Sequence, residues 1–250
     1  MSSLPIPTAK QEAWRYSDLD AVASVWPTPP AEEIHVAAGE SLVRVIAPEG
    51  GADAVVIADY VVDVAAGGRC EFFILNTVGR LGRITIDVTL HDGAHFELGG
   101  TIIGGGTQTL EIVTIVRHVE PHATSNQVVR SVLAAQATGS YLGQIAVARD
   151  AQKTDAAQSV KAMLLDRTAT ANAKPELEIY ADDVKCAHGA TVGELDKQAL
   201  FYLESRGLPP AEAKALLLQA FVAGAFVDLA DDAAREMLEG RALAALEALL

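Results

Sequence analysis

The sequence predicts a mainly β protein, built as a β-solenoid with a short helical segment before it and a helical module after it. From about Ile34 to Val192, short β-branched runs alternate with turn residues and show no helical period. The turn signals recur at about two dozen residues, which is closer to one coil of a parallel β-helix than to a hairpin. A β-sandwich also strings short strands between turns, so periodicity alone leaves it as an alternative.

The first element is a short helix over residues 12–26, which read EAWRYSDLDAVASVW. Trp14 and Leu19 are placed to face a core, whereas the acidic residues face solvent. Three prolines follow within four residues and end the helix. We therefore assign residues 1–30 to an N-terminal helical segment.

The second region, residues 31–195, carries the strands of the predicted solenoid. Strands are predicted at the apolar runs VVIADYVVDV, FFIL, ITIDVTL, LEIVTIV, QIAVA and LEIYA. Turns are predicted at Ala66-Gly67-Gly68, His91-Asp92-Gly93, Glu120-Pro121-His122, Thr138-Gly139-Ser140 and Asp182-Asp183. The stretch GGTIIGGGTQT at 99–109 lacks the Gly-Lys-Ser/Thr ending of a phosphate loop, so it predicts one more turn.

From Asp196 the pattern becomes helical, and residues 196–250 form the predicted C-terminal helical module. Asp196 can cap a helix that Gly207 ends in the left-handed conformation. A second helix begins at Pro209-Pro210, and Asp231 caps a third. The predicted apolar faces comprise Leu216, Leu217, Ala220, Phe221, Gly224 and Val227 in the second helix, and Met237, Leu238, Leu243, Leu246 and Leu249 in the third.

Composition excludes several classes of function. The formal net charge of −14 argues against nucleic acid or an anionic membrane as partner, because both are bound mainly through Lys and Arg. No apolar run approaches the roughly 20 residues that cross a bilayer, and the first residues lack the apolar core of a secretory signal. Two cysteines, Cys70 and Cys186, form no disulfide framework. We therefore expect a cytoplasmic protein whose cysteines act as thiols.

Several ordered motifs carry a family resemblance. They are PELEIYADDVKCAHGATVG at 175–193, AQKTDA at 151–156 and LFYLESRG at 200–207, with RSVLAAQATGSYLGQIAVA before them and EAWRYSDL near the start. Together they resemble the core of the SufB/SufD family of iron–sulfur cluster assembly scaffolds over most of residues 130–210. The resemblance implies a right-handed parallel β-helix with helical ends.

Within this family the chain is similar to the SufD branch. It has Ala187-His188-Gly189-Ala190 where SufB-type chains carry His-Glu-Ala. SufD proteins are often far longer at the N-terminus, so the resemblance implies nothing about functions located there.

Cys186 and His188 are the candidate metal ligands. Two residues apart on a strand, they point to one face, where a thiolate and an imidazole could meet one iron. A two-iron cluster takes four protein ligands, so this pair is half a set. By itself a Cys-x-His pair is more typical of a small buried cysteine and a hydrogen-bonded histidine. The resemblance implies that His188 is an interface ligand, supported by Cys186, with the other ligands on a partner.

The thiol of Cys186 is expected to be mostly protonated unless a metal or a positive charge ionises it. A free cysteine is only a few per cent thiolate at neutral pH, and Asp182 on the same strand parity would discourage ionisation further.

The resemblance further implies a non-catalytic scaffold that pairs with SufB, or with a second copy of itself, and docks the ATPase SufC through the helical module. An iron–sulfur cluster would be held transiently at the interface with a partner, and none is expected in the isolated chain. The candidate docking residues are Leu200, Phe201, Tyr202, Arg206 and Phe221.

Two alternative functions stay open. One is a carbohydrate-active β-helix enzyme that uses Asp182 and Asp183, although neighbouring strand residues face opposite ways and a turn explains the pair better. The other is an interaction module without metal.

The remaining polar groups have plainer interpretations. His91, His95, His118 and His122 are expected at the surface near coil corners, and Gln152, Lys153, Thr154, Asp155 and Gln158 are expected either to bind a partner or to serve turns and solvated rungs.

Overall fold

Residues 5–250 of the computed structural model form two parallel sheets wound into one β-helix, with helices at both ends. The predicted fold class is therefore confirmed. Residues 1–4, the start of the predicted 1–30 segment, lie outside the described residues. The division of the chain into 1–30, 31–195 and 196–250 stays a prediction.

The elements of the described chain are a 3₁₀ helix at Glu12–Trp14, α1 at Leu19–Val25, β1 at Glu32–Val36, β2 at Ser41–Ile46, β3 at Val55–Val64, β4 at Arg69–Asn76, β5 at Leu81–Leu90, β6 at His95–Gly104, β7 at Thr109–His118, β8 at Thr124–Leu133, β9 at Thr138–Val147, β10 at Asp155–Leu164, β11 at Thr170–Ile179, β12 at Lys185–Gly193, α2 at Lys197–Ser205, α3 at Pro210–Ala223 and α4 at Asp232–Glu247. The odd strands β1 to β11 form sheet A, and the even strands β2 to β12 form sheet B. Each coil thus gives one strand to each sheet.

Coil length is set by the strand register. Val55 pairs with Leu81, 26 residues on, and Thr138 pairs with Thr170, 32 residues on. The coils are therefore somewhat longer than the predicted two dozen residues, because three of the six contain two ten-residue strands as well as the turns.

Two turn predictions need correction. Thr138-Gly139-Ser140 begins β9, and the turn lies earlier, at Ala135. Within 99–109 the first glycines belong to β6, and only Gly106 and its neighbour form the turn. In both cases glycine serves close packing inside a strand, so its presence was a misleading turn signal.

One corner of the solenoid repeats a left-handed residue in five successive coils. These residues are Gly39, Gly67, Gly93, His122 and Lys153, with φ between 61° and 73°. Each donates its backbone N–H to a carbonyl of the next coil, as Gly67 does to Asp92 at 2.8 Å. The turns therefore stack in register as the strands do.

Alternate side chains of each strand fill the lumen. On β5, for example, Ile84, Ile86, Val88 and Leu90 are fully buried. They join one apolar cluster that runs through the coils. This period of two is what the β-branched sequence pattern encodes.

The predicted helix at 12–26 is interrupted. Asp18 accepts a hydrogen bond from the Ala21 N–H at 3.0 Å and so begins a separate helix, α1. The buried residues there are Ala21 and Val22, whereas Trp14 and Leu19 are only half-buried. The segment docks on the outer face of sheet A.

A buried ion pair marks this docking site. Arg83 donates to Glu111, and both side chains are almost fully buried. The Arg83 guanidinium lies 4.0 Å from the ring centre of Trp14, and Ser17 donates to Glu111 at 2.7 Å. The N-terminal segment therefore covers a buried charged pair on the outer face of sheet A.

The C-terminal helices begin where the sequence predicts, but α3 ends at Ala223, before the predicted helical positions Gly224 and Val227. Asp196 and Asp231 accept hydrogen bonds from N–H groups of the first turns, and Gly207 has φ 94°. The outer face of sheet B packs against α3 and α4 through an apolar cluster that includes Phe73 and Leu238.

The predicted apolar faces of these helices are partly wrong. Leu216, Val227 and Met237 are 42–67% exposed. The buried positions are Ala213, Leu218 and Val222 on α3, and Leu238, Ala242 and Leu246 on α4. Because α3 is apolar on most sides, periodicity could not select the face that packs.

None of the helices described in residues 5–250 combines the length and apolar character that a bilayer span requires.

Candidate functional site

Strand β12 is the open edge of sheet B. It pairs with β10 on one side only. Lys185 donates its N–H toward the β10 side, to the Thr154 carbonyl at 2.8 Å. Because backbone groups alternate between the two sides of a parallel strand, those of Cys186, His188 and Ala190 point to the free edge. This edge is thus a template for another strand.

The sequence of β12 leaves that edge unprotected. Its residues, KCAHGATVG, include one lysine and otherwise small or neutral side chains. All of them are exposed except Cys186, which is half-buried. Small side chains let a second backbone approach closely.

The neighbouring edge, β11 of sheet A, is blunted. Thr170 donates its N–H to Ala137 of the preceding coil, so by alternation Pro175 sits where a free-edge N–H would be. Charged residues flank it in the same strand, TANAKPELEI. At the other end of the solenoid, β1 carries Glu32 and Glu33, and Arg44 of β2 pairs with Glu32. Proline and charge protect such edges from pairing.

Cys186 and His188 lie in register with lumen-facing residues. Cys186 pairs with Ala156 and His188 with Gln158, and both partners are at most 3% exposed. In-register side chains of a parallel ladder share one face. The two candidate ligands therefore point toward the mouth of the lumen, on the same side of the last strand, as the sequence indicated.

Cys186 is half-buried and packs beside Ala156 and Ala181. Burial raises the pKa of its thiol above the ordinary value, and the carboxylate of Asp155 adds to this. The predicted neighbour Asp182 is not the cause, because it lies in the turn before β12 rather than on the strand. A metal or a positive charge is needed to form the thiolate.

His188 is exposed. Its imidazole is accessible to another molecule at the open end rather than enclosed between coils.

Cys70 is remote from this pair. It is fully buried, and burial raises the pKa of its thiol to about 12. It lies four strands below Cys186 in sheet B, which corresponds to about 19 Å at the usual spacing between strands. Cys70 therefore belongs to the core.

Within residues 5–250, no group of three or more His, Cys, Asp or Glu side chains could hold a metal ion. The chain offers Cys186 and His188 as a pair of soft and borderline donors, the types that bind iron in clusters.

The candidate docking residues separate into two places. Leu200, Phe201, Tyr202 and Arg206 all belong to α2 or its end, and α2 buries none of its residues. Phe201 and Tyr202 are 71% and 55% exposed, and Arg206 lies over the Tyr202 ring at 5.1 Å. Phe221, by contrast, packs against the apolar cluster under α3 and α4.

A groove of about 720 Å³ lies between the end of β12 and α2. Val192, Leu195, Leu200 and Lys214 are among the residues that line it. The open edge and the exposed helix therefore meet at one end of the molecule.

Two predictions about polar residues need correction. His118, expected at the surface, is fully buried because it occupies a lumen-facing position of β7. Its Nε2 lies 3.0 Å from Ser125 Oγ. Gln158, grouped with turn residues from the sequence, is also in the lumen. Asp182 and Asp183 form a turn as expected, and Asp183 accepts from Lys153.

A buried polar network in the lumen was not predicted from the sequence. Gln127 Oε1 accepts hydrogen bonds from Thr114 at 2.8 Å and from Tyr141 at 2.9 Å. Gln158 Nε2 donates to Tyr141 Oη at 3.4 Å. The sequence feature that could have predicted it is a glutamine at an inward position of two adjacent strands of sheet B, β8 and β10. This feature can be recognised only when the strand register is known.

The fold and this edge define a β-solenoid protein whose last strand has a free pairing edge and carries a cysteine and a histidine at the open end. The sequence profile of one family, described as SUF system FeS cluster assembly, SufBD core domain, matches residues 30–221. The chain belongs to this family.

Individual relatives agree with that assignment. The iron–sulfur cluster assembly protein SufD of Escherichia coli (strain K12) is 36% identical over 128 residues, which are 51% of this chain and 30% of the relative. An iron–sulfur cluster assembly SufBD family protein of Synechocystis is 33% identical over 168 residues, 66% of this chain and 37% of the relative. The chloroplastic protein ABCI7 of Arabidopsis thaliana is 34% identical over 158 residues, 62% and 33% of the two chains. The chain thus spans about a third of the length of these relatives.

Proposed function

We propose that this chain is a non-catalytic, SufD-type scaffold of iron–sulfur cluster assembly in the cytoplasm. It pairs with SufB through the free edge of β12 and docks the ATPase SufC through its C-terminal helices. The cluster is cargo, held transiently where the two scaffolds meet, and ATP chemistry belongs to SufC.

The observation that supports this proposal most directly is the asymmetry of the edges. β11 carries a proline and three charged residues, and β1 carries two adjacent glutamates. Edge strands β12 and β2 have no proline and one charged residue each, and of these two only β12 carries a cysteine and a histidine, Cys186 and His188. Pairing by strand addition would supply main-chain hydrogen bonds and place a partner's side chains beside the His188 ring. A second copy of this chain is the alternative occupant of the same edge.

His188 and Cys186 would have unequal roles. The exposed imidazole of His188 reaches the partner, whereas the half-buried thiol of Cys186, with its raised pKa, supports the site from within. Coordination requires deprotonated ligands, so cluster binding would release the thiol proton.

Cluster formation by the reconstituted complex tests the ligand role. His188→Ala should abolish the visible absorption of an anaerobically assembled cluster and leave complex formation with SufB intact. His35→Ala is the matched control, since His35 is an exposed histidine on the opposite edge strand, β1. Wild-type cluster formation by His188→Ala would overturn the ligand assignment.

SufC docking is tested best by surface substitutions. Deleting residues 196–250 would uncover the apolar outer face of sheet B, so loss of binding would be ambiguous. Phe201→Ala with Tyr202→Ala should instead remove co-purification of SufC without loss of folding, because neither ring is buried. Leu216→Ala, an exposed apolar residue on α3, serves as the control. Full SufC retention by the Phe201/Tyr202 variant would contradict docking through α2.

A further inference from the structure

Beneath His188, polar side chains occupy the lumen in a continuous column. Gln127 of β8, Gln158 of β10 and His188 of β12 are in register on one face of sheet B. Gln127 and Gln158 are 0% and 3% exposed. In the coils below Gln127, apolar residues fill most of the lumen.

The column is anchored on its far side. Tyr141 donates to Gln127 and receives the amide N–H of Gln158, so one end of the Gln158 amide is fixed toward sheet A. Its other end, the Oε1 atom, is buried and has no hydrogen-bond partner among the described residues. An unpartnered buried carbonyl oxygen costs about 1–3 kcal/mol, so native structures generally give it a partner.

The polar residues one rung away from Gln158 are His188 on the open side and Gln127 on the inner side. The Nε2 of Gln127 is also buried without a hydrogen-bond partner among the described residues. Because a carbonyl oxygen can accept two hydrogen bonds, Gln158 Oε1 can accept one from Gln127 and still accept one from the ring of His188. Neighbouring strands are about 4.8 Å apart, which places a ring N–H of His188 within reach of Gln158 Oε1 after side-chain rotation alone. On the open side of His188 there is no further strand of this chain.

We propose that Gln158 is a positioning residue for His188. Its Oε1 accepts a hydrogen bond from one ring nitrogen, fixes the tautomer, and leaves the other nitrogen presented to metal at the open edge. This inference rests on the proposed ligand role of His188. The chemical basis is general, because a ligating histidine commonly donates its second ring N–H to an oxygen that orients the ring.

The tautomer of His188 can be measured in the isolated chain without metal or partner. Long-range ¹H–¹⁵N correlation spectra, recorded above the titration range of histidine and assigned with His188→Ala, report which ring nitrogen carries the proton. We expect one dominant tautomer in the wild type and a mixture near that of free imidazole in Gln158→Leu.

Gln127→Leu is the matched control, because it removes the same buried side chain from the same column one rung further from His188. It should lower stability comparably yet leave the His188 nitrogen shifts nearly unchanged. Identical His188 shifts in the wild type and Gln158→Leu would overturn the inference. Equal changes of the His188 nitrogen shifts in Gln158→Leu and Gln127→Leu would also overturn the inference, because they would show only an effect of packing.

A second measurement separates this inference from the proposed function. In the complex, Gln158→Leu should reduce cluster formation about 10- to 100-fold with SufB binding unchanged, as loss of an outer-shell partner does at other metal sites. Retained cluster formation by His188→Ala removes the ligand role itself. If the His188 tautomer is unchanged in Gln158→Leu but the cluster is lost in His188→Ala, only the positioning role of Gln158 is overturned.

Discussion

Ala135 has a left-handed backbone, with φ 54°, at the turn between β8 and β9. This conformation costs an L-residue roughly 1–2 kcal/mol, whereas glycine adopts it without that steric cost. The side chain is exposed, and the hydrogen bonds at this position use the backbone N–H and C=O. Ala135→Gly should therefore raise the free energy of unfolding by about 1 kcal/mol, measured by urea denaturation. Ala66→Gly, an exposed turn alanine without positive φ, should not stabilise.

His118 gives the solenoid a specific pH dependence. Burial lowers the pKa of its imidazole to about 4 in the folded state, from an ordinary value of 6.5. Between these values the unfolded chain binds a proton that the folded chain does not, so stability falls as the pH falls through this window. The loss is about 1.4 kcal/mol per pH unit and about 3 kcal/mol in total.

His118→Gln should flatten that part of the stability profile, measured by denaturant unfolding from pH 7.5 to 4. His91 contributes with the opposite sign, because its bonds to Glu120 and Asp63 raise its pKa and stabilise the fold below its unfolded pKa. Comparison of the His118 variant with the wild type cancels this contribution, and parallel profiles would refute the role of His118.

At the scale of elements, Gly99 controls the contact between the solenoid and the helical module. A Cβ atom at this position would lie 2.0 Å from the Ala225 carbonyl oxygen and 2.7 Å from the Phe73 ring. Gly99→Ala should cost about 3 kcal/mol and loosen α3, because backbone blocks the space. Hydrogen exchange of α3 amides and thermal unfolding measure the two effects.

The adjacent Gly100 is a control on the opposite face of the same strand. Its Cβ would meet the ends of the Ile112 and Val129 side chains at 3.0 and 3.3 Å, and these can shift. Gly100→Ala should therefore cost less and leave protection of α3 unchanged. A larger loss in Gly100→Ala than in Gly99→Ala would contradict this account.

The N-terminal segment depends on the buried pair of Arg83 and Glu111. Arg83→Met should destabilise the fold by about 3–5 kcal/mol, because Glu111 is then left charged and buried. The double variant Arg83→Met with Glu111→Leu should recover most of that loss. Chemical denaturation of the two single variants and the double variant gives the coupling energy between Arg83 and Glu111. If the changes in the free energy of unfolding are strictly additive, the two side chains are not coupled and the prediction is wrong.

At the scale of the whole molecule, the proposed pairing through the free edge of β12 can be tested with proline substitutions. Ala190→Pro removes an N–H that points away from β10, so the chain should fold normally but bind SufB at least tenfold more weakly. Thr191→Pro removes an N–H that points toward β10 and should lower stability instead. Unfolding curves and co-purification distinguish the two variants. Wild-type SufB binding by a folded Ala190→Pro would exclude pairing through this edge.

Local sequence determined the strands, the caps at Asp196 and Asp231, the left-handed Gly207 and the common face of Cys186 and His188. These features depend on neighbouring residues, through alternation by two and through side-chain capping. The family resemblance added that the Cys-x-His pair belongs to a cluster scaffold.

Only the tertiary structure decided which residues stack across coils. Gln158 lies beneath His188 because the parallel pairing of β10 with β12 aligns residues 30 positions apart. Gly99 is required because the turn that follows α3, more than 100 residues away, packs against it. His118 is buried for the same reason, although its local sequence indicated a surface corner. Such relations depend on coil length and on long-range packing, which no local pattern encodes.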